Sequence, residues 1–101
     1  MAGGFFVGVC RIELSLPTTQ SLKDRRAILQ SVTTRMRREF PVSIADLDTQ
    51  PQHRRAVLGI AAVSNQASHA REVLEAAVRF LEHTRLDAEV GTIDLDVLPV
   101  W

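Results

Sequence analysis

A chain of 101 residues makes one domain with a modest core and leaves no room for a second. Its apolar fraction of 46% and charged fraction of 24% are ordinary for a globular protein, and no apolar run approaches the ~20 residues of a membrane span. Twelve basic side chains balance twelve acidic ones, so total charge does not decide for or against nucleic acid, and only its distribution can.

The single cysteine, Cys10, excludes an intramolecular disulfide and favours a reducing, cytoplasmic compartment. The first residues lack the basic and long apolar regions of a signal peptide, which supports the same expectation.

Phe5 to Leu16 is predicted as a strand. Phe6, Gly8, Cys10, Ile12, Leu14 and Leu16 share one face; Val7, Val9, Arg11, Glu13 and Ser15 share the other. Pro17 ends it, and Pro17 to Gln20 forms a loop. Ser21 then suits a helix N-cap, with Asp24 placed as its capping-box carboxylate. Leu22, Ile28, Leu29, Val32, Met36 and Phe40 follow at helical spacing, and the helix stops before Pro41.

Val42 to Leu47 is predicted as a short second strand, and residues 48–52 as a polar turn. Arg55 to Val63 is the third strand, and its unbroken apolar run from Ala56 predicts cover on both faces. Ser64 and Asn65 are cap candidates for a second helix with a buried stripe of Ala67, Ala70, Val73, Leu74, Ala77, Val78 and Leu81. Val90 to Leu98 is the fourth strand, with Gly91, Ile93, Leu95 and Val97 alternating against Thr92, Asp94 and Asp96.

The order β-α-β-β-α-β folds by two right-handed crossovers and one hairpin into a four-stranded antiparallel sheet, ordered 4-1-3-2, with both helices on one face. This is an α+β, ferredoxin-like sandwich occupying the whole chain.

Several stretches resemble the YlxP-like family of small bacterial proteins of unassigned function. They are Val7-Gly8-Val9, Arg11 to Leu14, Ser21 to Arg26, Val42 to Ala45, Arg55 to Gly59 and Val63-Ser64-Asn65. The resemblance implies a ferredoxin-like fold and a gene neighbourhood of translation and ribosome-maturation factors, hence a link to RNA or ribosomes. It assigns no active site.

The first helix carries the clearest charge signal: six basic residues against Asp24 and Glu39. At 100° per residue, Lys23, Arg26, Gln30, Thr34 and Arg37 fall on one stripe beside the buried face, with Arg38 nearby and no acid between them. Donors one turn apart suit a row of phosphates, although such a stripe is also what a solvated helix face looks like. Arg25 falls in the middle of the apolar stripe instead. It either holds an anion with the first-turn N–H groups or forms a structural ion pair.

The RNA-recognition motif shares this fold and stacks bases on aromatics of its first and third strands. Here the third strand has no aromatic and the first offers only Phe5 or Phe6, so the helix is the better RNA contact. Asp46 and Asp48 fall on one sheet edge and Asp94 and Asp96 on the other, which makes no metal site. His69 and His83 are 14 residues, about 21 Å, apart on a helix, too far for common ligation. His53 falls in the hairpin turn, and Cys10 faces the helices as a small hydrophobe. No catalytic residue, cofactor, small-molecule substrate or metal is expected.

The sheet face away from the helices is predicted to be apolar. Val7 and Val9 lie on it. The third strand adds either Val57, Gly59, Ala61 and Val63 or Ala56, Leu58, Ile60 and Ala62. Such a patch usually marks an interface, and a two-fold homodimer is the commonest way to close it. Trp101 either contributes to that contact or folds over the patch within one chain. The sequence thus supports a non-catalytic cytoplasmic protein that contacts ribosomal RNA or a ribosomal particle through Lys23, Arg25, Arg26, Gln30, Thr34, Arg37 and Arg38. The alternative is a homodimeric interaction module using Val7, Val9 and Trp101.

Overall fold

The computed structural model describes residues 3–84 and 87–101. Its elements in chain order are β1 (Phe5–Ser15), α1 (Leu22–Glu39), β2 (Ser43–Asp46), β3 (Arg55–Ser64), α2 (Ala67–Thr84) and β4 (Glu89–Val100). The strands form one antiparallel sheet ordered β2-β3-β1-β4. This is the expected ferredoxin-like order.

Local chemistry sets the ends of α1. Ser21 Oγ accepts the Asp24 N–H at 3.0 Å, and the Asp24 carboxylate accepts the Gln20 N–H at 3.0 Å, which satisfies two otherwise orphaned donors. At the other end Pro41 disfavours a helical Phe40, which is extended at φ −133° and ψ 146°. Its N–H still donates to the Met36 carbonyl.

Both helices lie on one sheet face. Cys10, Ile12 and Leu14 of β1, Leu58 and Ile60 of β3, Leu29, Val32 and Met36 of α1, and Leu74, Ala77 and Leu81 of α2 form one buried cluster. Gly8 marks where α2 crosses β1 closely. A Cβ there would meet Leu74 Cδ1 at 2.7 Å and the Ala70 carbonyl oxygen at 3.3 Å.

Two expectations are corrected. The apolar run of β3 is not covered on both faces. Cys10 pairs with Ile60, which turns Ala56, Leu58, Ile60 and Ala62 inward and leaves Val57, Gly59 and Ala61 half-buried and Val63 exposed. Two helices on one side cannot cover the other. In β4 a bulge lies between the pairs Ile12–Ile93 and Leu14–Val90, so Val90 replaces Gly91 on the helix side.

Candidate functional site

Lys23, Arg26, Gln30, Thr34, Arg37 and Arg38 are all exposed on α1, as the helical wheel places them. From Lys23 to Arg38 the row is about 22 Å long. Among the described residues no ion pair engages Lys23, Arg26 or Arg38. Arg37 is partly committed, since its Nη2 donates to the Ile44 carbonyl at 2.9 Å and braces α1 against edge strand β2. Arg35 turns away from the row to lie over the Phe80 ring, 5.2 Å from its centroid. A groove of about 560 Å³ runs beside the row, between Arg26, Gln30 and Arg37 on α1 and Pro51 in the β2–β3 turn.

Arg25 does not belong to this row. It is 5% exposed, and its Nη1 and Nη2 meet the two oxygens of Asp46 at 2.8 and 3.2 Å. Nη2 also reaches Asp48 at 2.8 Å, and Nε donates to the Arg55 carbonyl at 2.9 Å. Of the two roles open to it, Arg25 takes the structural ion pair, with four of its five N–H donors engaged within the chain. The Asp46 hydrogen bond leads in holding the guanidinium above its ordinary pKa, against the opposing effect of burial. The wheel showed a buried arginine but not its partners. The signal available was the Asp46-x-Asp48 pair at the end of a strand that the β1-α1-β2 crossover sets beneath α1.

Thr19 was also missed in the sequence. It is buried in the loop before α1, with its hydroxyl between the carbonyls of Leu16 and His53. It ties this loop to the β2–β3 turn. A threonine in a polar loop carries no periodic signal that would have singled it out.

The open sheet face has Val7 and Val9 half-buried at its centre, with Val63 68% and Leu98 45% exposed beside them. Arg11, on the central strand β1, pairs with Glu13 at 3.4 Å and with Asp94 of β4 at 3.7 Å. A hollow of about 720 Å³ spans the sheet from β2 to β4, lined on this face by Val9, Arg11, Ala45, Leu47, Gly59, Ala61, Asp94 and Asp96. Trp101 does not fold over the face. It is 96% exposed and forms a T-shaped contact with Phe5, with centroids 5.7 Å apart and rings at 77°.

Cys10 is buried among the helices. Burial first, and then the Asp94 charge, push its thiol pKa up, which is the opposite of nucleophile activation. His69 and His83 are exposed. His69 Nδ1 lies 3.1 Å from Ser64 Oγ, which in turn accepts the Gln66 N–H at 3.1 Å ahead of α2. No described helix is long and apolar enough to cross a membrane.

Residues 7–95 match the model of a family described as a protein of unknown function, DUF503. The chain belongs to the DUF503 family. This DUF503 chain is also 32% identical, over 76 residues, to the uncharacterized protein YlxP of Bacillus subtilis (strain 168). That alignment covers 75% of this chain and 83% of the relative. Among solved structures it is similar to a C-terminal segment of the alpha subunit of aIF2 from Pyrococcus abyssi, with a TM-score of 0.54 and 18% identity. The match covers 88% of this chain and 49% of that one, so the chain spans about half of its structural neighbour and shares its fold. The family matches agree with the resemblance drawn from the sequence stretches.

Proposed function

We propose that this chain is a non-catalytic RNA-binding protein that contacts the phosphate backbone through α1, with ribosomal RNA or a ribosomal particle as its partner. One observation carries this reading: Lys23, Arg26, Gln30, Thr34 and Arg38 form an exposed row without an intervening acid. Turns of the helix repeat every ~5.4 Å, so the row presents donors at regular steps to one strand. Base stacking on the sheet has little support. β3 carries no aromatic, and Phe5 on β1 is engaged with Trp101.

The test is co-sedimentation with ribosomal particles and filter binding to ribosomal RNA across a salt series. The comparison variant is Lys23→Glu/Arg26→Glu/Arg38→Glu, which spares Arg37 because it braces β2. Wild-type affinity should fall with salt by a slope of about 0.7 per single-strand phosphate contact, and the variant should lose binding while melting normally. Wild-type protein without RNA affinity, or a triple variant that binds as well, would overturn the proposal.

A second reading is favoured by a separate observation, the exposure of Val63 and Leu98 on a contiguous apolar sheet face. On this reading the chain is an interaction module that pairs with a second copy of itself through that face and needs no nucleic acid. Sedimentation of the purified chain tests it, and a monomer throughout the micromolar range would overturn it.

A further inference from the structure

Side-chain size changes along the open sheet face. At one end stand Phe5, Leu98 and Val63, with the 96% exposed indole of Trp101 against the Phe5 ring. At the other end Ala45, Gly59 and Ala61 leave the hollow, with Leu47 as one wall. Leu47 lies directly over Gly59, where a Cβ would come within 3.0 to 3.2 Å of its side chain. The face therefore carries a bulky apolar projection beside Phe5 at one end and, at the other, a recess that combines small residues with Arg11, Asp94 and Asp96.

Within one chain the two cannot meet. Val100 pairs with Phe5, so Trp101 sits at that level, whereas the hollow is centred where Arg11 pairs with Gly59. Six residues of extended strand separate these levels, about 20 Å. Halfway between them lie Val7 and Val9 on β1, beside the wholly apolar row Leu98, Val7 and Val63.

We infer that a second copy of this chain docks on the open face by a two-fold axis passing between Val7 and Val9, with Trp101 of each copy seated in the hollow of the other. The inference rests on the self-association reading and adds what holds the two copies in register. A two-fold contact uses the same patch twice, so a knob and a recess on one face satisfy each other reciprocally. The area suffices. Strands of 11, 4, 10 and 12 residues about 4.8 Å apart give a footprint of about 600 Å². An indole adds about 150–250 Å². Together these approach the ~800 Å² per partner of a stable interface. Arg11 already pairs with Glu13 and Asp94, and the exposed Asp96, level with Val9, lies on edge strand β4, where its carboxylate keeps its water at the border of the contact. The helices lie on the opposite face, so both basic α1 rows of such a dimer point outward.

Trp101 is the only tryptophan, so its emission reports its own burial. The experiment follows sedimentation and tryptophan emission of the full chain across the micromolar range. Wild-type protein should reach twice the 11.2 kDa chain mass, with emission moving to shorter wavelength and quenching by acrylamide falling as dimer forms. Trp101→Ala removes the knob at an exposed terminal position, and Ala45→Phe fills the hollow at an exposed one. Each variant alone should self-associate at least roughly tenfold more weakly. Mixed together they should form a heterodimer, because that pair keeps one knob and one open hollow. Wild-type protein that stays monomeric overturns both self-association and this arrangement. A wild-type dimer that Trp101→Ala leaves equally tight, emission that ignores concentration, or a mixture no tighter than its components overturns the knob and hollow alone.

Discussion

Replacing Arg25 with methionine keeps most of the stem's packing and deletes the charge. In the folded chain the change leaves Asp46 and Asp48 without their shared cation and the Arg55 carbonyl without its donor. Breaking a fully buried pair costs about 3–5 kcal/mol. Here the carboxylate side chains are 37% and 24% exposed, so water recovers part of that loss and the expected cost is about 2–3 kcal/mol. Against a total stability of about 5–15 kcal/mol, this lowers Tm by roughly 10–20 °C. The cost should depend on pH with a definite sign. Burial pushes the Asp46 carboxyl up, but the Arg25 hydrogen bond, the Asp48 N–H and the Arg25 charge outweigh it, so its folded pKa lies below the ordinary value. A depressed carboxyl contributes stability that is full above the unfolded pKa of about 3.9 and is lost as pH falls through the folded value. The wild-type advantage should therefore be complete at neutral pH and shrink below about pH 4. Urea unfolding followed by circular dichroism measures both quantities. Adding Asp46→Asn should cost less in the Arg25→Met background than in wild type, because the two residues act as one unit. A cost under about 0.5 kcal/mol at pH 7, or one that persists unchanged in acid, would refute the assignment of Arg25 as a structural clamp.

Two further outcomes test the packing. Gly8→Ala forces a methyl against Leu74 Cδ1 and the Ala70 carbonyl, and thermal melting should show a loss of about 1–3 kcal/mol; an unchanged Tm would mean that α2 lies further from β1 than described. Cys10, with its thiol pushed up by burial and by Asp94, should resist a thiol-specific reagent in the native chain and react fully only in denaturant. Rapid native labelling would show that the helix-covered face opens.

Short-range patterning determined the elements of this protein. The alternation in β1, the helical spacing of α1 and α2, the Ser21 cap and the Pro41 stop each depend on residues within a few positions of one another, and all are visible in the chain. The strand order followed from the element order, and the exposed row on α1 followed from the wheel. The register of β3 did not, because its two alternating faces are both apolar and either would serve as core; pairing of Cys10 with Ile60 decided between them. Nor did the fate of Arg25, whose partners Asp46, Asp48 and Arg55 lie 21, 23 and 30 residues away. The position of Trp101 was open as well until β4 set Val100 beside Phe5 and so placed the indole some 20 Å from the hollow. Periodicity reports which side of an element is apolar. Which distant group meets a given side chain depends on how the elements are placed against one another, and only the packed structure decides that.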